Sequence, residues 1–148
     1  MSCLIENKQN LFEVDEKWLE TTALDMMKIA GVPEFSINLL LTNDEQMREY
    51  NKKFREKDNP TDILSFPCFP ELKQGELPNP NFDDEDELGD IIISVETAAQ
   101  DAKSEKIPLQ QHLKMLLAHG IAHLMGYTHE IDENFEEMRV FEKKLLSP

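Results

Sequence analysis

The stretch "HGIAHLMGYTH", residues 119 to 129, carries three of the chain's four histidines. On an α-helix His119 and His123 share one face, with β-carbons about 5–6 Å apart, near enough for both imidazoles to reach one ion. Gly126 is the residue type that accepts a left-handed helix end, and the turn it permits swings His129 back towards the first two histidines. Three imidazoles with no further protein ligand near them in sequence match a catalytic zinc centre that keeps a position for water, whereas a structural centre is closed by about four ligands. The expected ligands are therefore His119, His123 and His129, the expected cofactor is one Zn2+ per chain, and the expected chemistry is metal-assisted hydrolysis. His112 lies two helical turns from His119 and is assigned a structural or solvent-facing role.

The spacing His-x-x-x-His-x-x-Gly-x-x-His is shared with the metzincin zinc proteases, whose motif places a glutamate, the general base, directly after the first histidine. Gly120 stands there in this chain. Ordinary peptide hydrolysis is therefore not expected, while the metal site is left intact.

Elements must position these groups. With 148 residues, 40% of them hydrophobic and 30% charged, the chain reads as one domain, residues 1 to 148, of a water-soluble protein. No apolar run approaches the roughly 20 residues of a membrane span, and "MSCLIENKQNLFEVDEKW" lacks a secretory leader pattern, so no membrane partner and a cytoplasmic address are expected. Cys3 and Cys68 match no ligand spacing and read as reduced structural thiols. A net charge of -15 repels nucleic acid at long range, yet "KKFREK" at 52 to 57 concentrates base and "DDEDE" at 83 to 87 concentrates acid.

The pattern predicts strand "CLIE", a helix from an Asp15 cap to Ala30, and strand "FSINLLLT". Thr42 and Glu45 form a capping box for a helix to about Phe54. Strands follow at 61 to 66 and 88 to 95, separated by the proline-rich loop 67 to 87. Ser94 caps a helix to Lys106, Pro108 opens the histidine helix to Met125, and Asp132 caps the last helix. The expected fold is α+β, one small sheet of about four strands covered by about five helices, with a metzincin-like three-histidine site.

The residues resemble a known family at this point. "HGIAHLMGYTH" is similar to the signature His-Gly-x-Leu-His-Leu-x-Gly-Tyr-Asp-His of the YbeY family of bacterial and organellar proteins, described as single-strand-specific endoribonucleases and rRNA maturation factors. "NKKFREKDNPTDILSFP" at 51 to 67 and "LGDIIIS" at 88 to 94 resemble two further blocks of that family, in the same order. The resemblance implies a zinc-dependent, single-strand-specific endoribonuclease acting in rRNA maturation, including the 16S rRNA 3′ end, and in ribosome quality control. The fold it implies is a small mixed sheet with helices around it and the histidines at a cleft. It implies RNA, ribosomal particles or assembly factors as partners, and a monomer is the working expectation. It makes His119, His123 and His129 both zinc ligands and catalytic residues, and Arg55 the arginine of the cleft. Taken alone, Arg55 reads as a solvated charge at a helix end, where a cation favours the dipole. Two departures stand out: Ala122 replaces the family's leucine and Thr128 its aspartate, a weaker acceptor for an imidazole N–H.

Other polar groups have ordinary readings beside functional ones. Asp62 and Asp90 stand at strand starts as backbone or turn acceptors, and Ser65 and Phe66 either line the cleft or fill a buried strand end. Glu130 is a base, an outer acceptor or a surface acid, and Tyr127 either packs over the turn glycine or sends its hydroxyl into the site. The acidic loop either lies away from the cleft or folds over it and competes with RNA. Two further functions stay open: a ribosome-assembly or adaptor protein with a mainly structural metal, and a metal-dependent hydrolase of a non-RNA substrate.

Overall fold

The computed structural model describes residues 2–79, 86–128 and 132–147. Along them run β1 (Ser2–Asn7), α1 (Glu16–Ala30), β2 (Ser36–Thr42), α2 (Asp44–Arg55), β3 (Ile63–Pro67), β4 (Glu87–Ser94), α3 (Val95–Glu105), α4 (Leu109–Leu124) and α5 (Asp132–Leu146). The fold is α+β, with a mixed sheet in the order β1-β2-β4-β3. β1, β2 and β4 run parallel and β3 pairs antiparallel with β4, leaving β3 at an edge. No helix among the described residues is long and apolar enough to cross a membrane.

Period-two alternation splits the sheet's side chains between two cores. Ile37, Leu39, Leu41, Ile91 and Ile93 join Leu19, Met26 and Met27 of α1 and Leu113, Leu117 and Ile121 of α4 in the main core. Leu64 and Ile92 point the other way and pack with Met47 of α2 in a smaller one. The site helix α4 therefore lies on one face of the sheet and α2 on the other.

Local signals set the helix ends. The Asp15 carboxylate accepts from the Trp18 N–H, and Gly31 closes α1 at φ 85°. Ser94 caps α3 as its sequence predicts. The start of α2 differs from the expected capping box. Thr42 is held as the last residue of β2 opposite Ser94, so Asn43 takes the cap position and accepts from the Gln46 N–H, while the Thr42 hydroxyl bonds Gln46 Oε1 at 2.6 Å. Pro108 likewise sits at the cap of α4, one residue before the helix proper. Asp90 is not at a strand start: it stands inside β4 and accepts from Asn38 Nδ2 across to β2 at 2.9 Å.

Cys3 is buried in β1 and its thiol is pushed up to about 12, first by that burial and then by Glu20. Cys68 is exposed, with its thiol raised by partial burial and then by Glu87 and Asp90. Neither forms a reactive thiolate near neutral pH.

Candidate active site

Helix α4 brings His119 and His123 onto one face, their rings perpendicular with centroids 4.5 Å apart. Their Nε2 atoms approach to 3.1 Å. His119 Nδ1 meets Glu142 Oε1 at 2.5 Å, and His123 Nδ1 meets the Tyr127 carbonyl oxygen at 3.0 Å. A carboxylate and a carbonyl only accept, so each Nδ1 must carry the proton and donate it. In the neutral imidazoles each Nε2 then carries a lone pair directed at the other ring. Two lone pairs at this separation repel unless something positive lies between them, and two nitrogens bound tetrahedrally to zinc stand roughly 3.3 Å apart. The pair therefore fits a divalent cation, with both tautomers set by outer acceptors in the manner of metal-binding histidines.

His129 and Glu130 lie outside the described residues, as does the acidic run up to Glu85. Among the described residues no group of three histidine, cysteine or carboxylate side chains is arranged to hold a metal. His112 is buried in α4, with Nδ1 3.8 Å from Glu105 Oε2, and is not a cleft residue.

The turn after α4 aims the second histidine. Gly126 has φ +91°, and a Cβ there would stand 2.3 Å from the Leu72 carbonyl oxygen. Only glycine satisfies both constraints. Tyr127 then directs its carbonyl at His123 while its ring stacks on Phe141 of α5, centroids 4.3 Å apart. Its hydroxyl is raised above its ordinary range, chiefly by burial and then by Glu137, so it stays protonated near neutral pH. Gly126→Ala is expected to cost at least about 1–3 kcal/mol from backbone strain, plus the clash with Leu72. Thermal unfolding with and without zinc checks this, because the displaced Tyr127 carbonyl should also weaken metal binding.

The two histidines open onto a cleft of about 420 Å³, lined also by Arg55, Asp62, Ser65, Leu72 and Thr128. Arg55 reaches it from the last turn of α2, around the β3 edge, so the one arginine is both a helix-end cation and a cleft residue. Strand parity separates the other two candidates. Ser65 lines the cleft, whereas Phe66 packs on the opposite face against Phe54 at a centroid distance of 5.1 Å. The first part of the 67 to 87 loop forms a cleft wall through Phe69, Pro70 and Leu72.

Gly120 holds the position of the metzincin glutamate, and the structure shows what occupies that space. A Cβ there would lie 2.9 Å from Ile91 Cδ1 and 3.1 Å from Ile63 Cδ1, in the α4-to-sheet interface. A side chain at this position would start against the sheet, in the core, and Gly120 is not among the residues lining the cleft.

Glu142 was not singled out by sequence reasoning. It lies 23 residues from His119 on another helix and stands in a charged run of α5, so no local pattern distinguishes it from a surface acid. A coarse signal exists: Met138, Phe141 and Leu145 mark the buried stripe of α5, and Glu142 borders it.

The sequence model of the family described as Endoribonuclease YbeY matches residues 4–148. A protein named Endoribonuclease YbeY from Bartonella henselae is 39% identical over 140 residues, 95% of this chain and 83% of the relative. One of the same name from Syntrophus aciditrophicus is 34% identical over 144 residues, 97% and 85% of the two chains. A human protein of that name is 32% identical over 146 residues, 99% and 87%. The solution structure of TM1509 from Thermotoga maritima shares the fold, with a TM-score of 0.59 at 22% identity over 97% of this chain and 88% of that one.

Proposed function

The chain belongs to the endoribonuclease YbeY family, and from that membership we propose that it is a zinc-dependent hydrolase that cuts single-stranded rRNA. The supporting observation is the facing pair of Nε2 atoms, each backed by an acceptor at Nδ1, at the wall of a cleft that also holds a guanidinium. In this reading residues 1 to 148 act as one hydrolase domain, His119, His123 and His129 hold Zn2+, and Arg55 serves the reaction. The work is rRNA maturation, including the 16S rRNA 3′ end, and ribosome quality control, done in the cytoplasm on ribosomal particles by a monomer.

When bound, zinc supplies Lewis-acid polarisation of a phosphoryl oxygen and acidifies water. The chain's own groups do the rest. Glu142 and the Tyr127 carbonyl hold the imidazole protons on Nδ1, making Nε2 the metal-facing nitrogen of each ring. Arg55 takes two phosphate oxygens in a forked pair of hydrogen bonds and stabilises the charge that grows on them. The Phe69, Pro70 and Leu72 wall limits water around the scissile phosphate and strengthens those contacts.

The test is metal removal. Dialysis against a chelator is expected to abolish cleavage of a single-stranded rRNA fragment while circular dichroism shows the chain still folded, and zinc is expected to restore cutting. Equal cleavage by the chelated protein would reject the metal-dependent reading. Unfolding on chelation would favour a structural ion in an assembly factor.

A further inference from the structure

Phe54 occupies an odd position for a large apolar residue. It is 52% exposed, near the end of a helix that is otherwise polar on its outer side. Its ring is nevertheless oriented by neighbours. Tyr50, one turn back, stacks with it at 14° and 6.4 Å, and Phe66 of β3 meets it edge-on at 5.1 Å. Lys53 Nζ lies 5.3 Å from the ring centroid. The next residue, Arg55, lines the histidine cleft, and Ser65, the neighbour of Phe66, lines it from the other side of β3. The ring packs on one face of the edge strand and the cleft lies on the other.

The charge around this ring contrasts with the rest of the molecule. Residues 52 to 57 carry Lys52, Lys53, Arg55 and Lys57 against Glu56 alone, in a chain of net charge -15. Asp58, next along, is occupied by a two-pronged bond to Arg48, at 2.7 and 3.1 Å. An oriented aromatic ring amid cations is the arrangement that holds unpaired bases: the π-face takes a base of any identity and the cations take the phosphates on either side. A duplex, whose bases already stack on one another, has no face to offer it.

We infer that Phe54, braced by Tyr50 and Phe66, is a stacking platform for a nucleobase of single-stranded RNA, placed beside the phosphate gripped by Arg55. The inference rests on the RNA-cutting reading above and adds to it a physical source of single-strand preference. Lys53, which is exposed, swings from the ring to an adjoining phosphate as the base arrives.

The test is cleavage kinetics on a twelve-nucleotide oligoadenylate, using the zinc-loaded full chain. Phe54→Leu keeps an apolar side chain at a half-exposed site but removes the π-face. It is expected to lower kcat/KM roughly tenfold, mainly through KM. Phe54→Trp is expected to hold KM near the parent value and to add emission that the oligonucleotide quenches; the natural chain has a single tryptophan, Trp18, as background. An unchanged KM in Phe54→Leu, as expected if the ring serves a protein partner instead, overturns the platform, and so does unquenched Phe54→Trp emission at saturating RNA. If the parent chain neither binds nor cuts the oligonucleotide, the RNA-cutting reading fails first and the platform with it. Parent cleavage with an indifferent Phe54 rejects the platform alone.

Discussion

His123→Ala is expected to lower cleavage of single-stranded RNA by on the order of a thousandfold or more, because on the proposed reading it would remove a zinc ligand and with it the charge that zinc would supply at the reacting phosphate. Arg55→Ala should fall in the range of about a hundred- to a thousandfold, the usual loss when one preorganised donor to a developing oxyanion is deleted. The two variants should differ in another respect. His123→Ala should lose zinc, whereas Arg55→Ala should retain it, since Arg55 lies on α2, across the cleft from the histidine helix. Gel time courses run beside zinc quantitation on the same preparations check both. Arg55 is exposed and His123 half-buried, so neither change threatens the core. Parent-like cutting by His123→Ala would place the chemistry elsewhere, or expose a contaminating nuclease, and would return weight to an assembly-factor role.

Glu142→Ala is expected to weaken zinc binding by roughly 10- to 100-fold, the usual effect of deleting an outer-shell acceptor. Its carboxylate accepts the His119 Nδ1 proton at 2.5 Å, and its side chain is only 22% exposed. Without it His119 can rotate, or protonate at the other nitrogen, and both changes turn the lone pair away. Glu142→Gln should lose less, because its amide oxygen still accepts but without charge. Competition against a zinc-binding dye gives the ordering directly. Zinc-dependent thermal stabilisation supplies a second readout: at fixed zinc it rises with the logarithm of affinity, so a tenfold loss removes about 1.4 kcal/mol of that stabilisation. Equal affinities for parent, Gln and Ala would reduce Glu142 to an ordinary helix-to-helix ion pair.

Among the described residues, His119 Nδ1 meets Glu142 and His123 Nδ1 meets the Tyr127 carbonyl. Thr128 lines the cleft itself.

What could be read from the chain alone was the short-range part. Asp15, Ser94 and Gly31 act through groups within a few residues, so their caps follow from residue type, as does the positive φ of Gly126, though not its close approach to Leu72. Helical spacing alone brings His119 and His123 together, and alternation alone identifies the apolar runs of β2 and β4. Even at short range a competing pairing intervened at Thr42, where the ladder with β4 displaced the helix cap by one residue.

Tertiary packing decided the rest. Which face of β3 turns to the cleft, sending Ser65 inward and Phe66 to Phe54, depends on the register with β4, contributed by a segment that follows a long loop. Gly120 is silent in sequence until α4 meets Ile91 and Ile63. Arg55 enters the cleft because β3 ends the sheet. Glu142 becomes the partner of His119 because α5 buries Met138 and Leu145 and so brings its bordering carboxylate to α4. The sequence determined which groups could do chemistry and how each is presented by its own helix or strand, since backbone geometry repeats over a few residues. The tertiary structure decided which of them meet, since contacts across many residues are set by the summed burial of whole elements, a quantity no local pattern records.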